Sequence, residues 1–337
     1  MKRTGKRFGM YAVAGILLIT LAAVQTAAAA EVQRYVMGSG PMGGPWKIGI
    51  GAGVQMINEQ LKDKYFVTAA ASGGSVENMR RMASGEYQTA WAHIHNMFDA
   101  WNGVGLFEKQ KPFKNMRVLE KITDQAVCVV VSSKSPIRSY MDLAGKRVSA
   151  GPAGSGNVII AEDIFKALGL TNKIKMTYLS FEGGAQALKD GQIDVSMSGG
   201  GPYVLPSITE IARSISIRIV EPGPEEIKKI DSAVPYLTLG AIPPNRAPGE
   251  NADKERKAFF YSTYWIALAG MTNEAAYDFL KLTQNPANKE LLGKIMSFWT
   301  TAGPDFGAIA KSGIPLHEGA VKFWSEKGVK LPPGIGK

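Results

Sequence analysis

With one cysteine, Cys128, among 337 residues, the chain has no internal disulfide and must fold on its core alone. Ala126-Val-Cys-Val-Val-Val131 is apolar and β-branched, so Cys128 reads as part of a buried strand rather than as a nucleophile. There are three histidines. None stands with a second cysteine or a paired carboxylate at ligand spacing, so neither a metal nor another cofactor is expected. No serine or cysteine sits beside a histidine in a recognisable local motif, which leaves no case for an enzyme. Lysine and arginine are scattered, with no basic stripe and no nucleic-acid motif, so no nucleic acid is expected as a partner. Beyond residue 30 no apolar run is long enough to span a bilayer. No internal repeat is visible.

The first thirty residues read as an export signal. Lys2, Arg3, Lys6 and Arg7 form a basic start, Met10 to Val24 an apolar run, and Ala28-Ala29-Ala30 a small-residue cleavage point before Glu31. Cleavage near Ala30 predicts a periplasmic chain of 307 residues and lowers the formal charge from +10 to +6. That length suits two lobes. The residual charge supports mild attraction to anions and no more.

Glycine turns carry the strongest signal. Gly151-Pro-Ala-Gly-Ser-Gly156 runs straight into an apolar helix pattern, and similar turns lie at Gly43-Gly44, Gly73-Gly74-Ser75 and Gly199-Gly200-Gly201. Helix N-termini present unpaired N–H groups and the positive end of the helix dipole, which favours anions. Around them the order strand, glycine turn, helix recurs and predicts an α/β fold with mainly parallel sheets. Strands are expected over Val118–Ile122 and Ala126–Ser132, and helices over Ser75–Ser84 and Val158–Leu168. Pro222 to Gly249 reads as a proline- and glycine-rich connector with one strand, and Asp253 to Tyr261 as a loop or short helix before a strand at Ser262. Ligands of open α/β sheets sit at the carboxyl ends of strands, where the four turns lie.

The segments GPMGGPWKIG (Gly40–Gly49), ASGGSVENMRRMASGE (Ala71–Glu86), DLAGKRVSAGPAGSGN (Asp142–Asn157), LSFEGGAQALKDGQIDVSMSGGGP (Leu179–Pro202) and PLHEGAVKFWSE (Pro315–Glu326) span nearly all of the chain after residue 30. In these blocks and their order the chain resembles the TAXI-type solute-binding proteins of tripartite ATP-independent periplasmic (TRAP) transporters. The resemblance implies a type II periplasmic-binding-protein fold of two lobes, residues 31–124 plus 232–337 and residues 125–231, with a ligand cleft between them. It further implies a receptor, monomeric by default, that delivers a small organic acid to TRAP membrane subunits. Dicarboxylates and amino acids such as glutamate are the family's ligands. The chain departs from the family where Pro45, Trp46 and Lys47 follow Gly43-Gly44, in place of a small residue and two tyrosines. It departs again at His93-Ile-His95, where relatives carry a Gln-Ser-Asp-like stretch.

The candidate ligand contacts follow from the turns. Ser155, Gly156 and Asn157 open one helix, and Ser75 and Asn78 another, as donors to a carboxylate. Ordinary capping, with Ser75 accepting the Asn78 N–H, is the alternative. Gly43 and Gly44 permit close backbone approach, and Trp46 supplies an apolar wall. His93 and His95 are expected on one strand facing the same way, with His95 at the ligand. Gly200 and Tyr203 would close the cleft from the second lobe. A periplasmic sensor serving a receptor kinase, or an enzyme on the same fold, are the competing readings.

Overall fold

The computed structural model describes residues 31–42, 44–153, 155–199 and 203–336. The predicted export signal and the candidate contacts Gly43 and Gly200 lie outside these residues.

The elements follow in order: β1 (Gln33–Gly38), α1 (Pro45–Gln60), β2 (Tyr65–Ala70), α2 (Ser75–Ala83), β3 (Thr89–His93), α3 (Ile94–Asn102) and β4 (Met116–Ser132). Next come β5 (Arg147–Ser149), α4 (Gly156–Ala167), β6 (Lys175–Met176), α5 (Phe181–Lys189), β7 (Val195–Gly199), α6 (Pro206–Ile211), β8 (Ile217–Val220) and α7 (Pro224–Ala233). The chain ends with β9 (Thr238–Ile242), β10 (Arg256–Leu268), α8 (Asn273–Thr283), α9 (Pro286–Ile295), α10 (Phe298–Thr301), α11 (Gly307–Ser312) and α12 (Glu318–Glu326). The sheet runs β2-β1-β3-β10-β4-β7-β5-β6, with β8 beside β4 and β9 beside β10. β1, β2 and β3 are parallel, as are β5, β6 and β7, whereas β10 is antiparallel to both β3 and β4. The α/β class expected from the sequence is the class observed.

β4 and β10 join the two halves of the sheet. β4 pairs with β10 from Met116 to Val127, then with β7 and β8 as far as Ser132. β10 pairs with β9 near its start and with β3 near its end. The sequence reading divides β4 into two strands, at the polar residues Thr123, Asp124 and Gln125. The strand continues because the polar groups are answered: Asp124 accepts from Ser262 Oγ at 2.6 Å and from Lys121 Nζ at 2.8 Å. Beyond the crossing, side chains alternate between two layers. Val127, Val129 and Val131 pack with Val158, Ile164 and Ile230, while Ala126, Cys128 and Val130 pack with Ala185, Leu188 and Ile208. Burial pushes the Cys128 thiol up to about 12, consistent with a strand-core residue.

Three further expectations change. β10 begins at Arg256, so the polar stretch before Tyr261 is strand and not loop or helix. Its partners on β9 and β4 override weak local propensity. The connector after Glu221 holds a helix, α7, with Pro224 in its first turn and Glu226 accepting the Gly223 N–H at 2.6 Å. His95 lies in α3 and not on a strand, because β3 ends at His93.

Glu120 sits on β4 at 0% exposure, with one oxygen accepting from Gln284 at 2.7 Å and the other unpartnered. Burial pushes its carboxyl up to about 8. The folded chain therefore holds the proton that the unfolded chain releases, and the Glu120 contribution to stability is lost as pH rises from about 4.3 through 8. We expect the melting temperature of Glu120→Gln to gain on that of the unsubstituted chain between pH 5 and pH 8.5, measured by calorimetry.

Candidate functional site

The carboxyl ends of β3 and β7 and the start of α4 meet beside β10. From one half come Trp46 on α1, His93 closing β3, and His95 and Asn96 opening α3. From the other come Gly156 and Asn157, the first residues of α4. The contact is tight: a Cβ on Gly156 would lie 3.0 Å from His93 Cδ2, 3.2 Å from His95 Nε2 and 3.5 Å from Asn96 Oδ1. Gly156 has no left-handed φ, so steric clearance is what makes glycine necessary there.

Aromatic rings enclose the group. Trp46 lies 4.6 Å from His93, Tyr261 4.9 Å from His93, and Tyr236 5.2 Å from His95, between ring centroids. His93 and His95 stack at 5.6 Å. Their shared facing was expected from strand alternation, but the strand-to-helix junction produces it.

β10 holds one residue from each half. Thr263 Oγ1 is 3.0 Å from His93 Nδ1, and the Tyr261 hydroxyl donates to Asn157 Oδ1 at 2.8 Å. The Asn157 amide in turn donates to the Gly199 carbonyl at 2.8 Å. Tyr261 and Thr263 are two apart and share a strand face.

His95 and Asn96 set the chemistry of the site. They are 1% and 0% exposed, and among the described residues both imidazole nitrogens and both amide atoms lack a partner. An unsatisfied buried polar group costs about 1–3 kcal/mol, so four together mark a place where recognition overrides stability. Burial lowers the His93 pKa to about 3, and burial and then the neighbouring His93 lower that of His95. Both are neutral at pH 7, and among the described residues no lysine or arginine charge acts on either.

The other sequence candidates have different occupations. Ser75 Oγ accepts the His93 N–H at 3.0 Å, and so fixes the strand end from behind. It does not cap α2, because the Asn78 N–H goes to the Gly74 carbonyl. Asn78 is 0% exposed and donates to the Ser39 and Trp91 carbonyls, tying loop to strand. Ser155 caps α4, accepting from the Val158 N–H at 3.4 Å. Gly44 stands at the start of α1 and donates to the Pro41 carbonyl at 3.0 Å. Tyr203 lies apart, its ring 6.4 Å from Phe260 and its carbonyl accepting from the Cys128 thiol. Phe260 neighbours Tyr261 and faces the other side of β10. There Tyr203 lines a separate cavity of about 320 Å³ with Thr123, Asp124 and Thr238. Asn96, Tyr236, Tyr261 and Thr263 were not among the sequence candidates. Among the described residues no helix is long and apolar enough to cross a membrane.

Two sets of parallel strands joined by the crossing strands β4 and β10, with polar groups gathered at strand ends, make up the site's frame. The chain belongs to the NMT1-like family, whose profile matches residues 37–328. A solved structure from Bordetella bronchiseptica RB50 is similar at 12% identity, covering 88% of this chain and 98% of that one, with a TM-score of 0.51. The periplasmic aliphatic sulphonate binding protein SsuA from Escherichia coli matches at 14% identity over 90% of this chain and 96% of its own, TM-score 0.48. A putative L-cystine ABC transporter from Listeria monocytogenes matches at 17% identity over 80% and 96%, TM-score 0.44. At such identities the likeness is one of fold alone.

The two buried imidazoles have a pH consequence. Both are neutral in the fold and would bind a proton below about 6.5 in the unfolded chain, so stability falls as pH drops through that value. Asp99, pushed up to about 6 by burial and then by Asp163, acts in the opposite sense between about pH 4 and 6. Because Asp99 is retained in the variant, the comparison isolates the histidines. Between pH 7.5 and pH 5 we expect a larger drop in melting temperature for the unsubstituted chain than for His93→Gln/His95→Gln.

Proposed function

We propose that the protein is an exported solute receptor that binds a small organic anion between its two halves and delivers it to a membrane permease. The observation that carries the reading is the unpartnered polar quartet of His95 and Asn96, buried against Gly156. A solute carboxylate or sulfonate accepting from His95 and Asn96, and approaching the opening turn of α4, would answer those groups. The aromatic rings of Trp46, Tyr236 and Tyr261 suit the carbon part of such a molecule.

The two lobes would work as a hinge about β4 and β10. Ile242, Ala247 and Ala258 still pack with Cys128 and Val130, which supports a return crossing nearer Tyr261 than residue 232. The glycine-turn blocks support a TRAP-type permease as the recipient, with the export signal placing the chain in the periplasm. Glutamate and C4-dicarboxylates are the first candidates by resemblance. The absence of a lysine or arginine charge on either imidazole, among the described residues, favours a solute with one anionic group in this position. Binding without turnover distinguishes the receptor from an enzyme on the same fold. Transport and sensing would share the same binding step.

A thermal-shift panel of glutamate, 2-oxoglutarate, C4-dicarboxylates, aromatic acids, alkanesulfonates and neutral analogues tests the reading. A solute at 100 times its dissociation constant stabilises the fold by about 2.7 kcal/mol. We expect a shift with one acid class, and at least a tenfold weaker titration for Asn96→Ala. Gly156→Ala is expected to weaken binding by about ten- to a hundredfold, because overpacking at the closing contact costs about 1–3 kcal/mol. Absence of any shift across the acids would overturn the proposal.

A further inference from the structure

Thr263 on β10 stands directly opposite His93 in the ladder with β3, so the two side chains share one face of the sheet. Thr263 Oγ1 lies 3.0 Å from His93 Nδ1. Which of the two atoms donates decides what the far side of the imidazole can do. A neutral imidazole carries one N–H, and its other nitrogen is an acceptor. His93 is in that neutral form at pH 7, since burial lowers its pKa to about 3. The ring is held from several sides. Ser75 Oγ accepts the His93 backbone N–H at 3.0 Å, and Trp46 and Tyr261 meet the imidazole in edge geometry at 4.6 and 4.9 Å between centroids.

The surroundings of Thr263 settle the direction. Thr263 is 0% exposed, and among the described residues its hydroxyl has no partner other than His93 Nδ1. If Nδ1–H donated to Oγ1, the threonine proton would be buried with no acceptor, which forfeits the hydration of that group. If the hydroxyl donates to Nδ1, both atoms are answered. Turning the ring over would set Cδ2 against Oγ1 and strand the same proton. The threonine therefore donates, and the single imidazole proton belongs on Nε2. Cδ2, the ring atom bonded to Nε2, faces the opening turn of α4, where a Cβ on Gly156 would lie 3.0 Å from it. The same Cβ would lie 3.2 Å from His95 Nε2 and 3.5 Å from Asn96 Oδ1, so this edge of His93 converges with the unpartnered groups of the site. His93 also keeps part of its surface accessible.

We propose that Thr263 is a positioning residue that fixes the His93 proton on Nε2, and that this N–H donates to an oxygen acceptor of the bound solute. The inference rests on the receptor reading for the solute and narrows it. The group taken up beside α4 is an acceptor without a proton of its own, a carboxylate or sulfonate oxygen. The unpaired N–H groups at the start of α4 favour the same class. An ammonium in that place would meet N–H groups from both sides. Tyr261, two residues back on the same face of β10, plays the matching part for the other half. Its hydroxyl donates to Asn157 Oδ1, which leaves the Asn157 amide to donate to the Gly199 carbonyl. Two hydroxyls of one strand thus set the direction of the hydrogen bonds on either side of the site.

The test reads the imidazole tautomers by long-range proton–nitrogen correlation on protein labelled with nitrogen-15 at histidine, at pH 7.5. The nitrogen that correlates strongly with both ring carbon protons is Nε2, and its chemical shift shows whether it carries the proton. His317 is an internal reference: its Nδ1 accepts the Gly319 N–H at 3.2 Å and its Nε2 faces the Met271 carbonyl at 3.0 Å, which puts its proton on Nε2. The His93 signals are those lost in His93→Gln. We expect His93 to match His317 in the unsubstituted chain, a reading that needs no variant. Thr263→Ser is expected to keep that tautomer, and Thr263→Val, close to threonine in size, to move the proton wholly or partly to Nδ1. Acetate or methanesulfonate is expected to shift the Nε2 resonance, and propylammonium to leave it in place. Thr263→Val is expected to weaken that titration at least about fivefold and Thr263→Ser by less than about twofold. A proton on Nδ1 in the unsubstituted chain, no response to either anion, or a tautomer or titration that Thr263→Val leaves unchanged overturns the proposal. If acids stabilise the fold while the proton lies on Nδ1, the Thr263 proposal fails alone. If Nε2 carries the proton and answers to the small anions but no acid of the thermal-shift panel stabilises the fold, the receptor reading fails alone.

Discussion

The pairing of β4 with β10 is the constraint on which the molecule is built. These two strands run antiparallel through the middle of the sheet, with Gln125 opposite Tyr261 and Asp124 opposite Ser262. On one side lie the parallel strands β1 to β3 and on the other the parallel strands β5 to β7, and β4 and β10 hold the two sets together. The polar residues at the crossing are exceptions to an otherwise apolar strand. Gln125 is 4% exposed within the ladder, and Asp124 is tied to Ser262 and Lys121.

From that seam the site follows. The strand ends and helix starts gathered beside β10 bring unpaired backbone and side-chain polar groups to one place, as open α/β sheets do at the carboxyl edge. β10 then fastens a residue of each half through Thr263 and Tyr261. The remaining polar groups, at His95 and Asn96, find no partner among the described residues. Local stability is given up there, as is common where a surface is shaped for something outside the chain.

Much of the architecture was legible in the sequence because strand, glycine turn and helix recur with sharp punctuation. α2 and α4 fall within a residue or two of the expected bounds Ser75–Ser84 and Val158–Leu168. α7 was hidden by the proline and glycine around it, although Gly-Pro-Glu-Glu is a helix-start signature whose Pro224 and Glu226 do what such residues do. The start of β10 was hidden for the opposite reason. Its polar residues carry no alternating pattern, and only the neighbours on β9 and β4 make them a strand. In the site, Trp46, Gly156 and Asn157 were legible as turn residues and His95 as a strand residue, and all four lie around His93 or Asn96. Tyr236 and Tyr261 come from distant parts of the chain and were not, since no local spacing records that they meet. Tyr203 was misplaced relative to the others because which side of β10 it reaches depends on the alternation of Phe260 and Tyr261, set by a register invisible in one dimension.

That alternation bears on how the protein can change over time. Connectors such as residues 243–255 can gain or lose residues while the layers around them persist. A single inserted residue within β10 near Ser262 would turn the face that reaches His93 toward the opposite side of the sheet and bring its neighbour round in exchange. Under the proposed reading, point substitution at Trp46, Asn96 or Tyr236 would change what the site accepts, whereas an insertion in β10 would exchange the side chains it presents. Descendants of this fold should diverge in the rings that wall the cleft long before they diverge in the spacing of the strand beneath it.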